Sequence, residues 1–168
     1  MVNNEYFHFD ANLVIDYILG TSETPRSLDK YFKPSNFGNR VIIISIDELG
    51  ELSKRVSGYF NANQSLNVEI QKRIEHLSNL VNEGRIQLLG FKELIGDDMK
   101  DIKKFSRIVE KLSDWLDNRV QLSDRIHLSL FAFDEAGYYY TNDKKVLESR
   151  KLVNYFKEEH DKSIKELS

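Results

Sequence analysis

At 168 residues and a net charge of −3, the chain has the size of one domain and lacks the strongly basic balance of a protein that coats nucleic acid. It has no cysteine, which excludes a disulfide scaffold, a thiolate zinc site, an iron–sulfur cluster and a cysteine nucleophile. A hydrophobic fraction of 40% excludes a disordered chain, and no apolar run approaches the roughly 18 residues of a membrane-spanning helix. The start, Met1-Val-Asn-Asn-Glu, lacks the basic and apolar segments of a signal peptide, so a soluble cytoplasmic protein is expected, with no membrane partner. With only 2 Pro and 8 Gly there is little material for a linker, and one domain over 1–168 is expected.

Glu5–Phe9 is aromatic-rich and stops at Asp10, as a short strand would. Ala11–Leu19 has helical apolar spacing and ends at Gly20. Residues 21–40 carry both prolines and read mostly as loop, with a short helix around Leu28–Phe32. Val41–Ser45 is β-branched and continuously apolar, the pattern of a strand buried on both faces of a parallel sheet. Ile46–Val56 reads as a helix, as does Gln64–Glu83, with Gly84 as its cap. Arg85–Leu89 is a third strand, and Met99–Leu116 and Leu122–Ala136 are further helices. Tyr138–Thr141 is a fourth strand, and the polar tail Lys145–Leu167 reads as helix with no fifth strand. Strands alternating with helices predict an α/β fold with a short, mainly parallel central sheet flanked by helices. Gln64–Glu83 and Met99–Leu116 are expected to form a long helical hairpin in the middle, within a core of 5–150 and before a helical tail of 151–168.

Acids fall where such a sheet would bring them together. Asp10 and Asp143 follow the first and fourth strands, and open parallel sheets bind ligands outside the carboxyl ends of their strands. Glu48 and Glu51 share a face of the helix after Val41–Ser45. Asp124 opens the helix that leads into Tyr138–Thr141, with Ser123 as a cap. Converged carboxylates repel unless a cation joins them, and hard divalent ions such as Mg²⁺ take oxygen ligands. Paired ions of this kind stabilise the attacking and leaving oxygens of phosphodiester cleavage. Each acid alone has a simpler reading as a solvated charge or a helix cap.

Three segments together resemble the PIN-domain family, metal-dependent nucleases that include many prokaryotic toxins of toxin–antitoxin pairs. They are Phe7-His-Phe-Asp10-Ala-Asn-Leu-Val-Ile-Asp16, Ile44-Ser45-Ile-Asp-Glu-Leu-Gly-Glu51-Leu, and Leu122-Ser-Asp124-Arg-Ile-His-Leu-Ser-Leu-Phe-Ala-Phe through Tyr138-Tyr-Tyr-Thr141-Asn-Asp143. The acids follow one another at intervals of 41, 73 and 19 residues. The middle interval is longer than compact members of the family show, and Arg125 and His127 stand where the family commonly has small or apolar residues.

The resemblance implies a single PIN-like domain in which Asp10, Glu51, Asp124 and Asp143 are the catalytic metal ligands for Mg²⁺ or Mn²⁺. Glu48 is the reserve ligand. Asn12, Ser45, Thr141 and Asn142 are candidates to orient the ligands, and Arg125 a candidate to reach the scissile phosphate, with His127 facing the site one turn on. The implied activity is endoribonucleolytic hydrolysis of RNA, with an antitoxin protein and a second copy of the chain as candidate partners. Candidate phosphate contacts are Lys54, Arg55, Lys100, Lys103, Lys104, Arg107, Lys144 and Lys145; Tyr59 and Phe60 are a candidate partner-binding or base-stacking edge. The competing reading is a catalytically inactive PIN-like module that binds protein or RNA. A phosphatase-like use of Asp10 as nucleophile ranks last, because Asn12 stands where that chemistry wants a second Asp.

Overall fold

The computed structural model describes residues 4–20, 28, 31–32, 38–46, 50, 53–58, 67–116 and 122–167. In chain order these form β1 (Glu5–Phe9), α1 (Ala11–Leu19), β2 (Arg40–Ser45), α2 (Asn67–Asn82), β3 (Ile86–Leu89), a single turn α3 (Phe91–Leu94), α4 (Met99–Trp115), α5 (Leu122–Phe131), β4 (Tyr138–Thr141), α6 (Lys144–Glu148), α7 (Arg150–His160) and β5 (Ser163–Glu166). Residues 53–58 are also helical, as are Ile46 and Gly50 of the predicted 46–56 helix. The rest of that helix, residues 64–66 of the next, and Tyr59 and Phe60 lie outside the described residues.

All strands run parallel, in the order β3-β2-β1-β4-β5. Strand alternation assigns side chains to two cores. Phe7, Phe9, Ile42 and Ile44 point to one face, under α1 (Leu13, Val14, Tyr17, Ile18) and α2 (Ile70, Leu77, Leu80). Ile43, Tyr139 and Ile164 point to the other, under α4 (Ile108, Leu112), α5 (Leu128, Phe131) and α7 (Leu152, Phe156). The expected hairpin of α2 and α4 therefore does not form: the two helices lie on opposite faces, with β3 between them. The chain winds from β1 outward through β2 to β3, then returns across the sheet to β4 and β5. Parallel crossovers are right-handed, so reversing the direction of winding moves the connecting helices to the opposite face. The switch point of this doubly wound sheet lies between β1 and β4.

Two further expectations are corrected. The predicted 122–136 helix stops at Phe131. Beyond it, Asp134 turns inward to meet His8 Nδ1 of β1, and the buried Lys162 ammonium donates to the carbonyls of Phe131 (2.6 Å), Asp134 (2.7 Å) and Ala136 (2.9 Å) and to Asp134 Oδ1 (3.0 Å). These carbonyls find a cation instead of another helical turn. The predicted tail helix likewise ends at His160, where Asp161 takes the left-handed conformation (φ 53°) and releases the chain into β5. Within β5, Ile164 is buried while Lys165 and Glu166 are exposed, an alternation too short to read against the helical pattern before it.

Gly20 ends α1 at φ 66°, and Arg73 of α2 donates to the Tyr17 carbonyl at 2.9 Å. A Cβ on Gly20 would stand 2.6 Å from Arg73 Nη1. Gly20→Ala should therefore cost about 1–2 kcal/mol, the strain of a left-handed alanine, with the displaced Arg73 contact adding to it. Urea unfolding of the variant checks this; an unchanged midpoint would show that neither constraint matters.

Candidate active site

Asp10 occupies the carboxyl end of β1, at the switch point. Its backbone N–H donates to Tyr140 O of β4 at 3.0 Å, which ties the ends of the two strands together. It is also the N-cap of α1, with Oδ1 accepting from the Asn12 N–H at 3.2 Å. Its Oδ2 accepts the Thr141 hydroxyl at 2.5 Å across 131 residues of sequence. Thr141 Oγ1 in turn accepts the Asp143 N–H at 3.0 Å, and Asp143 caps α6 by accepting the Lys145 N–H at 2.8 Å. Asp10, Thr141 and Asp143 thus form one hydrogen-bonded chain across the crevice.

The electrostatics follow from burial. Asp10 is only 7% exposed, and burial raises its pKa above the usual carboxylate value. The bonds from Thr141 and the Asn12 N–H oppose that shift, as does the nearby His127 ring, whereas the Asp143 carboxylate adds to it. His127 lies buried on α5. Asp124 precedes it by three residues, so the two share a face of α5, and Asp124 stands in the helix's first turn. Arg125 Nη1 donates to Ser113 Oγ of α4 at 3.3 Å, a bond that links α5 to α4.

Two neighbours complete the crevice. Asn12 Oδ1 accepts from Arg55 Nη1 at 2.8 Å, which brings a guanidinium to the rim two residues from Asp10. His8 pairs with Ile43 in parallel register, so Asp10 and Ser45 stand side by side at the ends of β1 and β2. Ser45 is fully buried, and its Oγ has no hydrogen-bond partner among the described residues. Asn142, between Thr141 and Asp143, is half-buried. Glu51 and Glu48 lie outside the described residues.

Among the described residues, no group of three or more His, Cys, Asp or Glu side chains converges closely enough to hold a metal ion. The donor chemistry nevertheless fits a hard divalent cation. A buried carboxyl disfavours its own charge, a second carboxylate aggravates that, and the adjacent strand end carries a hydroxyl with no partner among the described residues. The three-residue step from Asp124 is the signal in the sequence for the His127 ring, which is buried near Asp10. The His8–Asp134–Lys162 network has no such signal, because residues so far apart in sequence leave no spacing to read.

No protein-family model matches the chain, and no curated protein matches it significantly in sequence. Among solved structures, it is similar to a chain of the crystal structure of VapBC2 from Rickettsia felis bound to a DNA fragment from their promoter. The TM-score is 0.56 at 15% identity, over 97% of this chain and 99% of that one. At this identity the likeness is one of fold, an α/β sheet flanked by helices with PIN-like topology. No helix among the described residues is long and apolar enough to cross a membrane.

Proposed function

We propose that the chain is a Mg²⁺- or Mn²⁺-dependent endoribonuclease. The observation that carries this reading is the Asp10–Thr141–Asp143 chain at the switch point, linking acids from opposite ends of the sequence beside a buried serine whose hydroxyl has no partner among the described residues. Asp10 and Asp143 would hold the ion, with Asp124 from α5 and Glu51 completing the set and Glu48 in reserve. When bound, the ion would stabilise charge developing on the phosphodiester and lower the pKa of an attacking water. Thr141 fixes the Asp10 carboxyl through its hydroxyl, and the Asn12 N–H fixes the other oxygen. Ser45 and Asn142 would orient ligands, and Arg55, bonded to Asn12, would meet a phosphate at the rim.

A protein partner of the antitoxin kind accompanies this reading, and the fold's likeness to a chain of a VapBC2 structure supports it. So does an apolar groove of about 420 Å³ beside α1 and α2, lined by Val14, Ile18, Ile74, Leu77 and Val81. The competing reading, an inactive PIN-like module, is favoured by the lack of a converged metal-binding trio among the described residues.

Two measurements decide. RNA should be cut in Mn²⁺ and not in EDTA; cleavage that survives chelation overturns the mechanism. Millimolar Mn²⁺ should also raise the melting temperature. A ligand at 100 times its Kd adds about 2.7 kcal/mol, which is roughly 5–10 °C for a domain of this size. No shift and no cleavage would establish the inactive module.

A further inference from the structure

A second feature lies away from the acidic crevice, in the groove between α4 and α7. α4 carries Lys100, Lys103, Lys104, Arg107 and Lys111, spaced so that all fall on one helical face while Ile108 and Leu112 anchor the helix in the core. All five cations are exposed, and none forms an ion pair with a described residue. With Tyr155 of α7 they line a groove of about 420 Å³. This concentration of positive charge stands on a chain whose net charge is −3.

The groove is ordered by more than chance solvation. Lys104 Nζ sits 5.0 Å from the centre of the Phe133 ring, and Lys111 Nζ 4.8 Å from that of Tyr155, so two of the ammonium groups are held against aromatic faces. The local field acts on neighbours. His160, packed on Tyr155, has its pKa lowered by burial and then by Lys104 and Lys162, with Lys111 adding and Glu159 opposing. From Lys100 to Lys111 the stripe runs about 16 Å along the helix. Ser113, which receives the hydrogen bond from Arg125, follows Lys111 by two residues, about 200° around α4, so it faces α5 while the cations face α7.

We propose that the α4/α7 groove is a track for the phosphate backbone of single-stranded RNA, gripping the strand independently of sequence. The inference rests on the ribonuclease reading and names how its substrate is held. Phosphodiesters are the polyanion that regularly spaced, unpaired cations along a helix suit. Five cations spread over about 16 Å along one helix face favour a uniformly charged strand over an acidic protein segment.

The test uses the full chain in EDTA, so that binding is read without cleavage. A fluorescently labelled single-stranded RNA is titrated with the parent and with Lys103→Ala/Arg107→Ala/Lys111→Ala over a range of salt. Binding by the variant should be roughly tenfold weaker or more, and the slope of log K against log salt should flatten by about 2, near 0.7 per lost phosphate contact. Lys103→Arg/Lys111→Arg should keep both parental values, which separates loss of charge from loss of fold. Equal affinity and slope for parent and triple variant would overturn the proposal. So would poly-glutamate competing as well as RNA at equal charge, which would assign the groove to an acidic protein segment. The two readings fail separately. RNA bound through the groove but never cut in Mn²⁺ sinks the nuclease and leaves the track standing. Cleavage by a triple variant that binds as the parent does sinks the track alone.

Discussion

Asp10→Asn is expected to end RNA cleavage while leaving the metal-free protein as stable as the parent or more so. Asparagine keeps the N-cap, since it ranks with aspartate in accepting an N–H at a helix start, and it keeps polar contact with Thr141. It removes a negative charge from a buried site that faces Asp143. The loss of rate should exceed the roughly 10–100-fold that removal of an outer partner of a metal ligand costs. The sign of the stability effect follows from linkage. A raised carboxyl pKa means that the folded state binds the proton more tightly than the unfolded chain does. The stability that protonated Asp10 contributes is therefore present below its ordinary value of 3.8 and is lost as pH rises through the raised value. Asparagine escapes that loss, so its advantage in melting temperature should be largest near neutral pH and vanish in acid. If Asp10→Asn melts lower than the parent at pH 7 and still binds Mn²⁺, Asp10 is a structural cap and the metal site is wrong.

Lys162→Met should have the largest effect on stability. Its ammonium is buried and donates to three carbonyls and to the Asp134 carboxylate, which is itself shared with His8 and the Ala136 N–H. Burial lowers the Lys162 pKa and Asp134 pulls it back up, so the cation is costly in itself and kept by its partners. Methionine fills the volume but leaves the carboxylate and the carbonyls beyond α5 without their donor. Breaking one side of a buried pair costs about 3–5 kcal/mol, or roughly 6–20 °C for a chain of this size. The exposed Lys165, whose Nζ lies 3.9 Å from the centre of the Tyr138 ring, serves as the control. Lys165→Met should cost under about 1 kcal/mol. Equal melting of the two variants would show that the buried network contributes nothing.

The physical range of each signal decides what could be read from the sequence. β1, β2 and β4 are apolar runs bounded by polar residues, and the predicted Tyr138–Thr141 matches the strand found. Asp10, Thr141 and Asp143 are brought together because each ends a strand or opens a helix at the sheet's switch point, a rule that needs only element order. The sides of the sheet taken by α2 and α4 depend on where the winding reverses, which local periodicity does not carry. The end of α5 and the start of β5 depend on Lys162 meeting carbonyls 26 to 31 residues earlier in the chain, a contact with no local trace. The bond from Arg125 to Ser113 on another helix likewise has no local trace in the sequence.

The hydrogen bond between Asp10 and Thr141 has a bearing on synthesis in the cell. Its partners are 131 residues apart, and at bacterial and eukaryotic ribosome speeds of about 5–20 residues per second the second emerges roughly 7–26 seconds after the first. Throughout that interval β1 lacks its β4 neighbour, and the crevice between them does not exist. The site proposed to cut RNA therefore cannot assemble until the far end of the chain has emerged and docked.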